Sequence, residues 1–179
     1  MKAVGLSHSL PIEDPRALED VELPPPAAPQ GQDLLVDVQA VSVNPVDTKL
    51  RRSGKGEHTP PRILGFDAAG TVLAVGPEVT AFEVGDEVYY AGDVTRPGCN
   101  AQMHLVDERL VARKPSTLDF AEAAALPLTT LTAWELLFQR MPYQLDGRRN
   151  SGRTLLVIGG AGGVGSMAIQ LGRHAGFTV

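Results

Sequence analysis

Cysteine is almost missing from this 179-residue chain, which carries only Cys99. One thiol excludes an internal disulfide framework and a structural zinc site built from several cysteines. Long apolar runs are missing too: no window approaches the roughly 20 residues of a membrane span. The opening MKAVGLSHSLPIED has no apolar stretch suited to a signal peptide or transit segment. A soluble, cytoplasmic protein without a membrane partner is the expectation. Basic residues are outnumbered 16 to 21, for a formal charge of −5, so there is no general attraction for polyanions and nucleic acid is not an expected partner. The one basic doublet, Arg51-Arg52 with Lys49 and Lys55 nearby, is too short for a backbone-binding stripe and reads as a solvated loop. What the chain does have is 43% hydrophobic residues, enough for a sizeable core in one domain plus part of another.

The pattern changes along the chain. Up to about Lys114 the apolar runs are short and broken by glycine and proline. Strands are predicted over Lys2 to Leu6, Leu34 to Val43, Thr71 to Val75, Glu87 to Tyr90, Met103 to Val106 and Leu110 to Ala112. Turn chemistry such as Val84-Gly85-Asp86 and Arg96-Pro97-Gly98 separates them. This is the pattern of an irregular, barrel-like β domain. After Pro115 the period lengthens. Asp119 caps a predicted helix over Phe120 to Ala125, with Glu122 placed to complete a capping box and Pro127 limiting its extent. A second helix is predicted over Leu131 to Arg140, with Leu131, Trp134, Leu137 and Phe138 on its apolar face. Residues 144 to 152 read as a linker.

The sharpest local signal starts at Thr154. Leu155-Leu156-Val157-Ile158 has the composition of a strand buried on both faces of a parallel sheet. It runs into Gly159-Gly160-Ala161-Gly162-Gly163-Val164-Gly165, where Gly160, Gly162 and Gly165 make a GxGxxG motif. Val164, Met167, Ala168, Leu171 and Ala175 then mark a helix face, Gly176 stops it, and Phe177-Thr178-Val179 starts another strand. A strand, a glycine turn and a helix in this order form the context of a dinucleotide site. In that context Gly160 allows the tight exit, Gly162 lets the backbone approach a pyrophosphate and Gly165 permits close helix–sheet contact. The pyrophosphate would face unpaired N–H groups at the positive end of the helix dipole. No Gly-Lys-Ser/Thr follows, which argues against nucleotide triphosphate hydrolysis. The residue that reads the adenosine ribose is due about 20 positions beyond the glycines, past Val179. A truncated polypeptide is the expectation, and the chain by itself is expected to be inactive.

In order and spacing, MKAVG, Val43-Asn44-Pro45-Val46-Asp47, Leu64-Gly65-Phe66-Asp67-Ala68-Ala69-Gly70, Val84-Gly85-Asp86-Glu87-Val88, Leu131-Thr132-Ala133 and Gly160 to Ser166 resemble the medium-chain dehydrogenase/reductase superfamily. The likeness is to its zinc-type alcohol dehydrogenase-like proteins close to the zinc-independent quinone oxidoreductases. This resemblance implies a mainly β GroES-like catalytic domain over residues 1–128, a connecting helix and linker over 129–152, and the start of an α/β Rossmann domain over 153–179. It also implies that substrate and nicotinamide meet between the domains. In zinc-containing relatives the catalytic cysteine falls at Asn44 and a histidine at Phe66, and neither residue here replaces a thiolate or imidazole ligand. No zinc is therefore expected.

The expected activity is NAD(P)H-dependent reduction of a quinone or an α,β-unsaturated carbonyl compound, with NADPH ahead of NADH. The alternatives are a noncatalytic dinucleotide-binding protein, an inactive structural fragment of the enzyme, or an alcohol dehydrogenase. By resemblance Asn44 lies near nicotinamide and substrate, against a local role closing a turn. Lys49, where several quinone oxidoreductases have tyrosine, is a candidate donor to a substrate oxygen, and Tyr90 a candidate cleft residue on the loop after a strand. Thr132 matches a threonine near the nicotinamide carboxamide, against a hydroxyl bonded within its own helix. Gly160, Gly162, Gly163, Val164 and Gly165 are the expected cofactor-binding turn. Asp47 and Asp67, beside the family's zinc position, are expected to brace loops. A homodimer is expected only of the full-length protein.

Overall fold

The computed structural model describes residues 1–53 and 56–179; Lys55, counted above with the basic cluster, lies outside the described residues. The chain divides into two compact units, Met1–Pro127 and Leu128–Val179.

The first unit holds β1 (Lys2–His8), β2 (Glu19–Glu22), β3 (Asp33–Ser42), β4 (Glu57–Ile63), β5 (Asp67–Val75), β6 (Glu87–Ala91), β7 (Met103–Asp107) and β8 (Val111–Arg113). They form a three-stranded sheet in the order β2-β1-β4 and a five-stranded sheet in the order β7-β3-β5-β6-β8, with every pairing antiparallel. The segment after Cys99 ties the sheets together: Gln102 N–H donates to Lys2 O at 3.0 Å, and Val38 N–H donates to Gln102 O at 2.9 Å. Two strands were not anticipated. β2 is only four residues long and mostly acidic. β4 contains Pro60 and Pro61, which argue against a central strand; both strands are sheet edges, where prolines and charge are tolerated.

Alternation along the five-stranded sheet gives it two apolar faces. Leu34, Val36, Ala68, Val72, Val88, Tyr90, Cys99 and Val106 form the main core. On the opposite face Ala69 packs against Ala123 and Ala124 of helix α2, named below, with Ala40 and Tyr89 around them. The register of β3 on β5 shifts twice: Leu73 is the extra residue on β5 opposite Leu35 and Val36, and Gln39 the extra residue on β3 between Val38 and Ala40. The backbones come so close there that a Cβ on Gly70 would lie 2.1 Å from Asp37 O. Only glycine fits this approach.

A helix, α1 (Pro45–Ser53), stands where a solvated loop was expected. Its start carries a legible signal: proline at the first helical position, and an acidic residue whose carboxylate turns back to the preceding backbone. Asp47 Oδ2 accepts the N–H of Asn44 at 2.7 Å. Arg51 is correspondingly not solvated. It is buried, and its guanidinium donates to Leu10 O at 2.7 Å. Further on, α2 (Phe120–Ala124) has the anticipated capping box, with Glu122 N–H donating to Asp119 Oδ1 at 2.8 Å and Asp119 N–H to Glu122 Oε2 at 3.0 Å.

In the second unit α3 (Pro127–Trp134) widens into a π-helical turn over Glu135–Arg140, closed by Met141 N–H donating to Leu136 O. Leu137 and Ala133 are buried, whereas Leu131 and Trp134 of the expected apolar face are exposed. α4 (Gly147–Asn150) is a single turn within the expected linker, and α5 (Gly163–His174) ends before Gly176, whose φ is +88°. The expected strand over Leu155 to Ile158 is a correction. Its regular pairing is confined to one parallel bridge, Thr154 to Thr178, and Leu156 and Ile158 are 82% and 90% exposed. An apolar run becomes a buried parallel strand only when strands flank it on both sides. Among the described residues only the segment at Thr178 does so.

Candidate functional site

The register of β3 on β5 pairs Ser42 with Asp67. The chain leaving β3 through Val43 therefore delivers Asn44 beside the first residue of β5. There the Asn44 Nδ2 donates to Asp67 Oδ2 at 2.9 Å, and the Asn44 backbone is held by Asp47 from the first turn of α1. All three are buried, Asp67 completely. Asp47 Oδ1 is buried without a partner among the described residues. The Asn44 side chain does not close its own turn; it reaches across to β5.

Cys99 lies against the same cluster, its thiol donating to the Asp67 backbone O at 3.4 Å. Burial first, and then the charges of Asp47 and Asp67, push its pKa up to about 12. It has no thiolate character at neutral pH and is no nucleophile. At the two positions where zinc-containing relatives carry a cysteine and a histidine, Asn44 offers an amide and Phe66 a ring with no donor atom. Among the described residues no group of three or more histidines, cysteines or carboxylates is placed to hold a metal.

Lys49 is exposed on α1. Tyr90 is corrected: it belongs to β6 instead of a loop after it, is 1% exposed and lies in the main core. Its hydroxyl sits 3.1 Å from His104 Nδ1, and the two rings stack 5.6 Å apart. The other ring nitrogen, Nε2, is 2.9 Å from Pro97 O. A carbonyl only accepts, so Nε2 carries the proton and Nδ1 accepts from the tyrosine. Burial is the main reason that the His104 pKa falls to about 4. Sequence pattern alone did not single out this buried pair, whose members are 14 residues apart.

In the second unit, Thr132 is exposed and its hydroxyl donates to Leu128 O at 2.7 Å, the helical back-bond weighed against a cofactor role. The glycine turn is built as follows. Gly159, not Gly160, has the left-handed conformation at the exit, with φ of +76°. Gly162 N–H donates back to Gly159 O at 3.0 Å, and Gly162 stands at the N-cap of α5. The first bond inside the helix from this end is Ser166 N–H to Gly162 O at 2.8 Å. That leaves the N–H groups of Gly163, Val164 and Gly165 without intrahelical partners, at the positive end of a 12-residue helix. A Cβ on Gly165 would lie 2.4 Å from Gly159 O, so this position has to be glycine; Gly162 is exposed and open to approach. Ser166, whose own role sequence reading did not assign, donates its hydroxyl to Gly162 O at 2.7 Å and braces the turn. Beside the turn lies a cavity of about 370 Å³, lined by Leu136, Leu156, Ile158, Gly159, Val164 and Gly165 among others.

The turn and the Asn44 cluster belong to different units. Residues 30–116 match the family model described as the alcohol dehydrogenase GroES-like domain. A zinc-type alcohol dehydrogenase-like protein of Staphylococcus aureus is 44% identical over 179 residues, covering 100% of this chain and 53% of that protein. The chloroplastic NADPH-dependent alkenal/one oxidoreductase of Arabidopsis thaliana is 41% identical over 152 residues, 79% of this chain and 37% of that one. Among solved structures, the Escherichia coli quinone oxidoreductase complexed with NADPH superposes with a TM-score of 0.78 at 29% identity, over 99% of this chain and 51% of that one. The chain thus spans about half the length of the Staphylococcus relative it matches.

Proposed function

Because the chain belongs to the medium-chain dehydrogenase/reductase superfamily, among the zinc-type alcohol dehydrogenase-like members related to the quinone oxidoreductases, we propose that the protein is an NAD(P)H-dependent, zinc-independent reductase of quinones or α,β-unsaturated carbonyl compounds. The observation that carries this reading is the glycine turn: three adjacent amides without intrahelical partners at the start of α5, with glycine required at 165 and an exposed glycine at 162. Those amides suit a pyrophosphate. The nicotinamide supplies the hydride, while the protein orients it and stabilises charge that develops on the substrate oxygen. Lys49, exposed and cationic, is the proposed donor to that oxygen. Asn44 belongs to the proposed nicotinamide site with Thr132, whose hydroxyl oxygen keeps lone pairs after donating to Leu128 O. Alcohol oxidation is disfavoured, because Asn44 and Phe66 stand where zinc-containing relatives carry the ligands of the Lewis acid that polarises an alkoxide, and neither side chain replaces those ligands.

NADPH is proposed over NADH, in keeping with the names of the Arabidopsis relative and the Escherichia coli complex. A small-molecule substrate, a cytoplasmic location and a homodimer for the whole protein complete the proposal. No described helix is long and apolar enough to cross a membrane. Calorimetric titration of the protein as its gene encodes it, with NADPH and then NADH, tests the reading. Turnover of benzoquinone and but-3-en-2-one is then followed with and without a chelator. Saturable NADPH binding and chelator-insensitive reduction are expected. No binding of either dinucleotide sinks the proposal, as does activity that a chelator abolishes and zinc restores.

A further inference from the structure

Asn44 has two functional ends, and the fold has already committed one. Its Nδ2 donates to Asp67 Oδ2 at 2.9 Å, while its backbone N–H is held by Asp47 Oδ2 at 2.7 Å. Asp67 Oδ2 takes the NH2 end of the amide, and this bond fixes which way the group points. Oδ1 then points along the other branch of the amide. Among the described residues no donor reaches Asn44 Oδ1, and this oxygen is not one of the buried unpartnered atoms, which are Ser9 Oγ, Asp47 Oδ1 and His58 Nε2. Asn44 is 5% exposed, and Oδ1 is open to that small opening.

From this we infer that Asp67 is a positioning residue that turns Asn44 into a hydrogen-bond acceptor, so that Asn44 recognises a donor group of the cofactor, a carboxamide NH2 or a ribose hydroxyl, and does not stabilise negative charge on the substrate. The inference rests on the dinucleotide reading above and assigns one polar residue of it to the cofactor. It also gives both carboxylates of the cluster a role: Asp47 holds the backbone of Asn44 and Asp67 its amide. The charge-stabilising role on the substrate oxygen then falls to a cation such as Lys49, since an acceptor oxygen cannot perform it.

The test compares NADPH with 2′,5′-ADP, which keeps the adenosine phosphates and lacks the nicotinamide half, on the protein as its gene encodes it. In Asp67→Asn the neutral amide at 67 accepts either end of Asn44. NADPH affinity is expected to fall about tenfold, the scale of one charge-assisted hydrogen bond, while 2′,5′-ADP affinity stays unchanged. The exchange Asn44→Asp with Asp67→Asn restores a donor at 67 and an acceptor at 44 with the same total charge, and is expected to recover most of the NADPH affinity. Unchanged NADPH binding in Asp67→Asn overturns the inference. Equal loss of both ligands, with no recovery in the exchanged pair, also overturns it, because the cluster would then only hold the fold. If the unaltered protein binds neither NADPH nor NADH, the dinucleotide reading itself fails and this inference goes with it.

Discussion

Acidification between pH 6.5 and 4.5 will destabilise the protein through a single imidazole. His104 is buried in β7 with both ring nitrogens committed, one to Pro97 O and the other to the Tyr90 hydroxyl. A second proton has to go on Nδ1, where it meets an O–H that is already donating. Burial, opposed in part by the bond to Pro97 O, leaves the folded-state pKa at about 4 against 6.5 for the free side chain. Above pH 6.5 His104 is neutral in both states and stability is complete. Below 6.5 the unfolded chain takes up the proton and the folded one does not, so stability is lost as pH falls towards 4. At about 1.36 kcal/mol per pH unit, the whole loss is about 3 kcal/mol, and most of it, about 2.5 kcal/mol, has occurred by pH 4.5. The window is clean of the half-buried Asp14 and Asp107, which their arginine neighbours hold at about 2; their contributions are lost only as pH drops through and below the ordinary carboxylate range. Urea unfolding at pH 7.5, 6.0, 5.0 and 4.5, run on the wild type and on His104→Gln, measures the difference. Ring C–H chemical shifts report the titration directly. A His104 resonance titrating near 6.5, or an equal loss of stability in His104→Gln, would refute the reasoning.

Two further substitutions probe the turn and a cap. Gly165→Ala puts a methyl 2.4 Å from Gly159 O, so the turn must open; about 1–3 kcal/mol of destabilisation and at least tenfold weaker NADPH binding by calorimetry are expected, and binding within twofold of wild type would show that this contact does not shape the site. Asp119→Ala removes the acceptor for Glu122 N–H and is expected to cost about 1 kcal/mol in thermal unfolding, with Asp119→Ser recovering much of it; equal melting points in all three proteins would mean the cap contributes nothing.

How much of this was legible depends on how local each signal was. The capping box of α2 uses residues three apart and was readable in full. The core strands were readable from alternation, and β5 only extends further back, to Asp67. The glycine turn was readable as a motif, but the division of labour was not: the left-handed residue is Gly159, one place before the motif begins. Asn44, Pro45 and Asp47 carry a start signal for α1, but the basic doublet Arg51-Arg52 that follows has the composition of a solvated loop. Arg51, charged and next to Arg52, reads as solvated by composition, yet it is satisfied by a carbonyl 41 residues away. Asp67 and Asn44 meet across 23 residues of sequence, and Tyr90 meets His104 across two strands. Pairings of that kind are decided by sheet register, which no window of sequence contains.

Register has a consequence for which changes of length the fold will accept. The close approach at Gly70 and the bulge between Val38 and Ala40 set how β3 counts against β5, and from that count Asn44 arrives opposite Asp67. Deleting Val41 alone, which pairs with Ala68, would move the later residues of β3 to the opposite side of the sheet and carry Asn44 away from its carboxylate, although no side chain of the cluster had been altered. The proline-rich connection between β2 and β3 sets no such count, and extra residues there only lengthen a surface loop at small entropic cost. Among natural homologues, chain length should therefore vary freely ahead of β3 and hold constant from Asp33 to Asp47, a pattern of gaps that records the geometry of the cluster independently of which amino acids fill it.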